Sequence, residues 1–419
     1  MIEEFRTMSN NHDYQYILRT KQKDFSAADE LFNINQARTA RAFHRQMPGY
    51  KMTPLRSLPH LAQMLGLGGI YVKDEAQRLQ LNSFKVMGGS FAIYRFIQKK
   101  LGIPDEKMSF DYLVSKECHD ACGDLTFASA TDGNHGRGVA WAAMMLGHKC
   151  EIYVHKETSQ ARIDAIARYG ARVTVVDGNY DDAVRQVAID AEKNGWEIIS
   201  DTSWEGYTEI PTWIMQGYTT IMLECQEQFA GLGITRPSHV FIQAGVGALA
   251  AATIGFYASL FKDNPPKFIV VEPDKAACIY ETAKYNDGEL HSVTGDLDTI
   301  MAGLACGDPN PIGWKVLDGC ADMFLQVPDY VAARGMRILA TPLKGDPFVI
   351  SGESGAVTLG ALYSLITEPE GTGIKKVLGL DENSNILCIN TEGNTDPVHF
   401  RQIIWDGVDA VPNSYLTRK

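Results

Sequence analysis

The chain has no apolar run approaching the roughly 18 residues that a membrane-spanning helix needs, and no Lys/Arg-rich block interrupts it. The first absence speaks against a helical membrane protein. The second, with 39 basic against 51 acidic residues and a formal charge of −12, argues against a nucleic-acid partner, which calls for a basic face. The opening residues Met1-Ile2-Glu3-Glu4-Phe5 lack the basic-then-apolar layout of a secretory leader. A cytoplasmic protein that binds neither membrane nor nucleic acid is expected. The eight cysteines follow no repeating spacing, the usage of reduced structural thiols. Cys118-His119-Asp120-Ala121-Cys122 has no second Cys or His pair at zinc-finger distance, so a polar surface loop without metal is expected. Cys278 and Cys306 lie in motif-like segments, and the sequence leaves their redox state open.

Internal repeats and low-complexity tracts are also missing, while 419 residues suit two or three domains at about 150 residues each. From about residue 70, short β-branched or apolar runs alternate with amphipathic segments. Strands are expected at Gly69–Lys73, Leu125–Ala130, Cys150–Val154, Arg172–Val176, Glu197–Ser200, His239–Gln243, Phe268–Glu272, Met323–Val327 and Asn385–Asn390. Helical patterns between them include Gly138–Leu146, Ala161–Arg168, Tyr180–Lys193 and Ile214–Phe229. Such alternation predicts an α/β fold: two domains, each with a mostly parallel twisted sheet flanked by helices. Residues 1–30 read as an arm or an edge.

Asn82-Ser83-Phe84-Lys85-Val86-Met87-Gly88-Gly89-Ser90 places one lysine among small and apolar residues, just ahead of a buried helical pattern. Burying an unpaired ammonium is costly, so Lys85 reads either as a partly desolvated nucleophile or as a lysine snorkelling from a helix end. Two strands then run into glycine-rich turns that open helices, and ligands of parallel sheets bind beyond the carboxyl ends of strands. Ala244-Gly245-Val246-Gly247-Ala248 suits a phosphate, since glycines admit an anion to the backbone and helix amides donate to it. It lacks the P-loop lysine; a dinucleotide turn, or a tight turn with no ligand, stays open. Thr131-Asp132-Gly133-Asn134-His135-Gly136 offers side chains, and exposed amides at Gly133 and Gly136, for a carboxylate. Asp132 is electrostatically unwelcome there unless it has a chemical role or caps the next helix.

These three segments, in this order, resemble the fold type II (tryptophan synthase β-like) pyridoxal-phosphate enzymes, which include threonine and serine dehydratases and cysteine synthase. Gln216-Gly217-Tyr218-Thr219-Thr220, Ser351-Gly352-Glu353-Ser354-Gly355-Ala356 and Asn390-Thr391-Glu392-Gly393-Asn394 agree, so the resemblance covers about residues 45–400. Asp132, Asp201-Thr202-Ser203-Trp204-Glu205-Gly206-Tyr207 and Met301-Ala302-Gly303-Leu304-Ala305-Cys306-Gly307 look like the branch of ammonia-lyases acting on 2,3-diaminopropionate of either hand.

The strands ending at Ala130, Val154, Val176 and Ser200 predict a smaller domain of residues 87–207 and a larger one of 1–86 with 208–419, with Lys85 at their junction; the resemblance implies a homodimer. It places pyridoxal 5'-phosphate on Lys85 as a Schiff base, its phosphate on the amides of Gly245, Val246, Gly247 and Ala248. Asn134 would bond the ring hydroxyl, Thr391 would offer a neutral hydroxyl to the ring nitrogen, and Phe84 and Glu353 would stand near the ring. Thr131, Gly133 and His135 become candidates for the carboxylate of an amino-acid substrate. Asp201 and Tyr207 join them as substrate contacts, and Asp132, Asp201 or Glu205 could hold the departing ammonium. A planar intermediate needs a base on each face to serve both enantiomers: Lys85 is expected to serve the L form and Asp132 the D form. The competing expectation is a serine or threonine dehydratase, which expels hydroxide and has no need of Asp132. A nucleotide-binding oxidoreductase would require an acidic residue at ribose distance, for which only Glu272 offers itself. Against a non-catalytic relative stands the intact Lys85.

Overall fold

The structure, a computed structural model, describes residues 5–8, 15–131, 133–368 and 372–410. The chain forms two units. The first comprises the described residues up to Ile34, Met52–Asn82 and the described residues from Ile221 onward; the second comprises Asn35–Lys51 and Ser83–Thr220. Among the described residues lie β1 (Phe5–Met8), β2 (Gln15–Arg19), β3 (Leu55–Ser57), β4 (Gly69–Asp74), β5 (Thr126–Ala130), β6 (Lys149–His155), β7 (Arg172–Val176), β8 (Glu197–Ile198), β9 (His239–Gln243), β10 (Lys267–Pro273), β11 (Met323–Val327) and β12 (Asn385–Asn390).

The first unit holds an eight-stranded sheet in the order β1-β2-β11-β10-β9-β12-β4-β3. Its centre, β11 to β4, is parallel, with Ile269 opposite Met323 and Phe241, and Cys388 opposite Phe241 and Val72. Parallel strands covered on both faces read as continuous apolar runs, and all five residues of β9 are buried. The flanking strands β2 and β3 pair antiparallel. Ile70, Phe241, Ile269, Leu325, Val357 and Leu362 share one core. Helix Ala248–Leu260 is buried from Ala248 to Ala258, as a helix apolar all round must be.

The second unit carries a parallel sheet ordered β7-β6-β5-β8, with Ala128, Ala130, Tyr153, Ala183 and Val187 in its core. Helix Tyr180–Asn194 begins with a capping box between Asn179 and Asp182. Cys118-to-Cys122 is not a polar surface loop: Lys116–Cys122 is a short helix with both thiols buried and their sulfurs 3.9 Å apart. Burial, with Cys122 alongside, pushes the Cys118 thiol up to about 12. Among the described residues no cluster of three or more His, Cys, Asp or Glu could hold a metal ion, and no helix is long and apolar enough to cross a membrane.

Candidate active site

Lys85 stands at the N-cap of helix Val86–Leu101. Its ammonium pairs with Asp201 Oδ2 and lies 5.6 Å from the centroid of the Phe84 ring. Phe84 packs against Tyr218, ring centroids 4.8 Å apart. His135 is 2% exposed, with Nε2 2.7 Å from the Ile199 carbonyl and Nδ1 3.8 Å from the same Asp201 oxygen. A carbonyl only accepts, so His135 Nε2 carries a proton. Burial alone would raise the Asp201 carboxyl; the charges of His135 and Lys85 outweigh it and hold the group well below the usual carboxylate range. The second unit thus places an amine, a carboxylate and an imidazole together, from segments far apart in sequence.

The backbone beneath Lys85 is clamped from two sides. At Gly138 an added Cβ would come within 2.8 Å of Val86 N and 3.1 Å of Lys85 C, so the glycine turn expected to bind ligand lies directly against the lysine segment. At Gly217 a Cβ would sit 2.5 Å from the Met87 carbonyl oxygen. That carbonyl accepts from His44 Nε2 at 2.9 Å, and the Thr220 hydroxyl donates to His44 Nδ1 at 2.7 Å. His44 escaped the sequence reading, and Tyr218 entered it only within the Gln216–Thr220 motif, with no role of its own.

The Thr131–Gly138 turn differs from expectation. The amides of Gly133 and Gly136 are not exposed for a carboxylate: both donate to Thr131 Oγ1, at 3.0 and 3.1 Å. Thr131 therefore satisfies the first orphan donors of helix Asn134–Met145. Gly133 has φ +152°, a conformation that L side chains rarely adopt. Asn134 is the first residue of that helix, and Asp132 lies outside the described residues. Tyr207 is no free substrate contact. Its hydroxyl donates to Ile198 O at 2.7 Å and accepts from Ser200 N at 3.0 Å, and burial pushes it well above the usual phenol range. Glu205 is exposed, whereas Asp201 is buried.

In the first unit, β9 ends in the turn Ala244–Gly247, with Gly247 at φ +93°. Helix Ala248–Leu260 begins there without a side-chain cap from its N-cap residue, Gly247, and the first amides of a helix have no partner within it. A Cβ at Gly245 would meet Cys306 Sγ and Leu304 Cα at 3.2 Å. Cys278 Sγ lies 3.6 Å from the Gly245 carbonyl, so both motif cysteines flank this turn, and Cys278 is a free thiol. The Thr391 segment meets the Asn82 segment: Asn82 donates to the Asn394 carbonyl at 2.8 Å and accepts from Gly393 N at 3.0 Å. Glu353 opens helix Glu353–Thr367 and pairs with His399 Nδ1 at 2.8 Å. That bond is the first reason His399 is raised above its usual value.

Just ahead of Lys85, Leu79, Gln80 and Asn82 have φ of 48°, 60° and 58°, left-handed conformations costing about 1–3 kcal/mol each. They follow a fully buried ion network that sequence reasoning missed. Arg78 contacts Glu75 at 2.8 Å and Glu224 at 2.8 Å, and Lys73 contacts Glu224 at 2.7 Å. Burial tends to raise Glu224, but Arg78 and Lys73 outweigh it and pull the carboxyl down to about 2. Each member looks like an ordinary surface charge in sequence, and their partners lie up to 151 residues away.

In the first unit the glycine-turn amides suit a phosphate and the buried Thr391 hydroxyl suits a ring nitrogen; in the second, the Lys85 amine with its carboxylate counter-ion suits an aldehyde. Residues 47–379 match the family of pyridoxal-phosphate dependent enzymes, and the chain belongs to that family. Its cofactor is pyridoxal 5'-phosphate. The chain is 47% identical over 382 residues to diaminopropionate ammonia-lyase of Escherichia coli K12, covering 91% of this chain and 94% of that one. Two crystal structures of the Escherichia coli enzyme are similar to it at 43% identity. The complex with D-serine has a TM-score of 0.87 and is covered over 97% of this chain and 100% of that one. The complex with an aminoacrylate–pyridoxal-phosphate azomethine reaction intermediate has a TM-score of 0.84, with 97% and 99% covered.

Proposed function

We propose that the protein is a diaminopropionate ammonia-lyase: it catalyses the pyridoxal-phosphate-dependent α,β-elimination of 2,3-diaminopropionate, in both D and L forms, to pyruvate and two molecules of ammonia. The observation that carries this reading is Asp201, a buried carboxylate kept ionised beside the Lys85 amine. A substrate with a second ammonium needs such a counter-ion; a substrate whose leaving group is hydroxide does not. Kinship with the Escherichia coli lyase over 94% of its length supports the same choice.

When bound, the cofactor supplies electron withdrawal that stabilises negative charge at the substrate Cα. Lys85 would carry it covalently, and the amides of Gly245, Val246, Gly247 and Ala248 would hold its phosphate at a helix N-terminus. Asn134 would bond the ring hydroxyl, Phe84 would pack against the ring, Thr391 would meet the ring nitrogen, and Glu353, braced by His399, would stand near it. Lys85, once released, takes the Cα proton of the L form from one face; Asp132 takes that of the D form from the other. Asp201 holds the β-ammonium, which at about pH 7 is already protonated, as a lysine is. Thr131, Gly133 and His135 shape the substrate pocket through the turn they build, and Tyr207 fixes the exit of β8. The unsaturated amine that leaves hydrolyses to pyruvate and the second ammonia. A homodimer in the cytoplasm completes the proposal.

Release of the 2-oxo acid, pyruvate from D- and L-diaminopropionate and D-serine and 2-oxobutyrate from L-threonine, compared on one preparation, tests it. Preference for both diaminopropionate enantiomers is expected; preference for L-threonine would make the protein a dehydratase of the same fold.

A further inference from the structure

A hydroxyl can donate or accept, so a threonine opposite the ring nitrogen leaves that nitrogen's protonation undecided. Gln243 removes the choice. Its Nε2 lies 2.8 Å from Ser354 O, 3.0 Å from Ile389 O and 3.0 Å from Thr391 Oγ1. Both carbonyls only accept, so the amide must turn its NH2 toward them; the reverse orientation would set Oε1 against two carbonyl oxygens. An amide nitrogen accepts no hydrogen bond, so the Thr391 O–H cannot point back at Gln243. Among the described residues, Gln243 is the only hydrogen-bond partner of the Thr391 side chain. The two N–H groups are shared among three acceptors, the Thr391 oxygen can only accept from that side, and its hydrogen is left for whatever stands beyond.

The arrangement is stiff. Gln243 is 2% and Thr391 4% exposed. They sit at the carboxyl ends of β9 and β12, parallel neighbours registered by Cys388 opposite Phe241. We infer that Gln243 is a positioning residue: it fixes the Thr391 hydroxyl as a donor and so keeps the ring nitrogen of the cofactor unprotonated. The inference rests on the proposed placing of Thr391 against that nitrogen. An unprotonated ring withdraws electrons less strongly, which suits expulsion of a β-substituent over proton return to the cofactor.

The test is the ring-nitrogen NMR resonance of holoenzyme reconstituted with pyridoxal phosphate labelled with nitrogen-15 in the ring. At neutral pH the unsubstituted protein should show the unprotonated-pyridine position; the pyridinium position would overturn the inference without any variant. Gln243→Met removes the N–H at similar length, so the Thr391 hydrogen can turn to the Ser354 or Ile389 carbonyl and its oxygen can accept. The resonance should then move toward pyridinium. Gln243→Asn, whose shorter amide falls back from Thr391, should move it the same way and serves if the first variant does not fold. Should Thr391→Val displace the resonance while both Gln243 variants leave it in place, Gln243 has no such role and the Thr391 placing stands. No displacement in Thr391→Val would instead sink the placing itself, and the inference with it.

Discussion

Lys85 and Asp201, 116 residues apart in sequence, form an ion pair with side-chain exposures of 22% and 11%. In the cofactor-free protein, Asp201→Asn should cost about 1–3 kcal/mol, the penalty for a partly buried charge that loses its hydrogen-bonded partner. Because the folded Asp201 carboxyl is depressed, its contribution is present above the unfolded value of about 3.9 and lost as pH falls through the lower folded one. Urea unfolding at neutral pH and near pH 3 measures this: the gap between the two proteins should be full at neutral pH and should shrink on acidification. A gap that widens toward acid would show that Asp201 is not held ionised.

Lys85→Ala should abolish turnover of both enantiomers, because it deletes the covalent anchor and the L-face base together. The absorption band at about 410–420 nm expected of a pyridoxal Schiff base should vanish as well. Borohydride reduction of the unsubstituted holoenzyme followed by peptide mass analysis should locate the label on Lys85.

Asp132→Asn should remove activity on the D enantiomer far more than on the L. General-base catalysis is worth about 10²–10⁴-fold, so a loss of that order in kcat for D-diaminopropionate is expected, with the L reaction largely kept. Equal losses on the two substrates would refute the division of faces.

Glu224→Gln breaks the buried network at its centre, leaving Arg78 and Lys73 to share what remains. Removing one partner of a buried ion cluster costs about 3–5 kcal/mol, which thermal unfolding of the cofactor-free protein would register. A change below 1 kcal/mol would mean that the network is replaceable by rearrangement.

The sequence was most legible where one residue type has one physical reason to be present. The central parallel strands, covered on both faces, read as apolar runs, and β7, β9, β11 and β12 have the expected bounds. Of the antiparallel strands, β3 escaped notice and β2 lay in a stretch read only as an arm or an edge: β3 has three half-buried residues, and only the middle residue of β2 is buried. Neither leaves a pattern of alternation to read. In the candidate site the glycine turns and Lys85 stood out. Gln243, His44 and the Arg78 network did not, since a polar residue in an apolar strand or helix reveals its purpose only through a partner distant in the chain. Tyr207 misled for the opposite reason: its motif suggested a ligand, while its hydroxyl serves two backbone groups.

The contact at Gly217 sets a limit on redesign. A side chain opposite an added methyl group could shrink or swing aside, but the Met87 carbonyl oxygen is main chain and has nowhere to go. Libraries that reshape substrate choice around Phe84, Tyr218 or Asp201 should therefore recover many solutions, while position 217 should return glycine in every survivor. A second-site suppressor of Gly217→Ala would have to shift the whole helix that begins beside Lys85, and the reactive amine would travel with it.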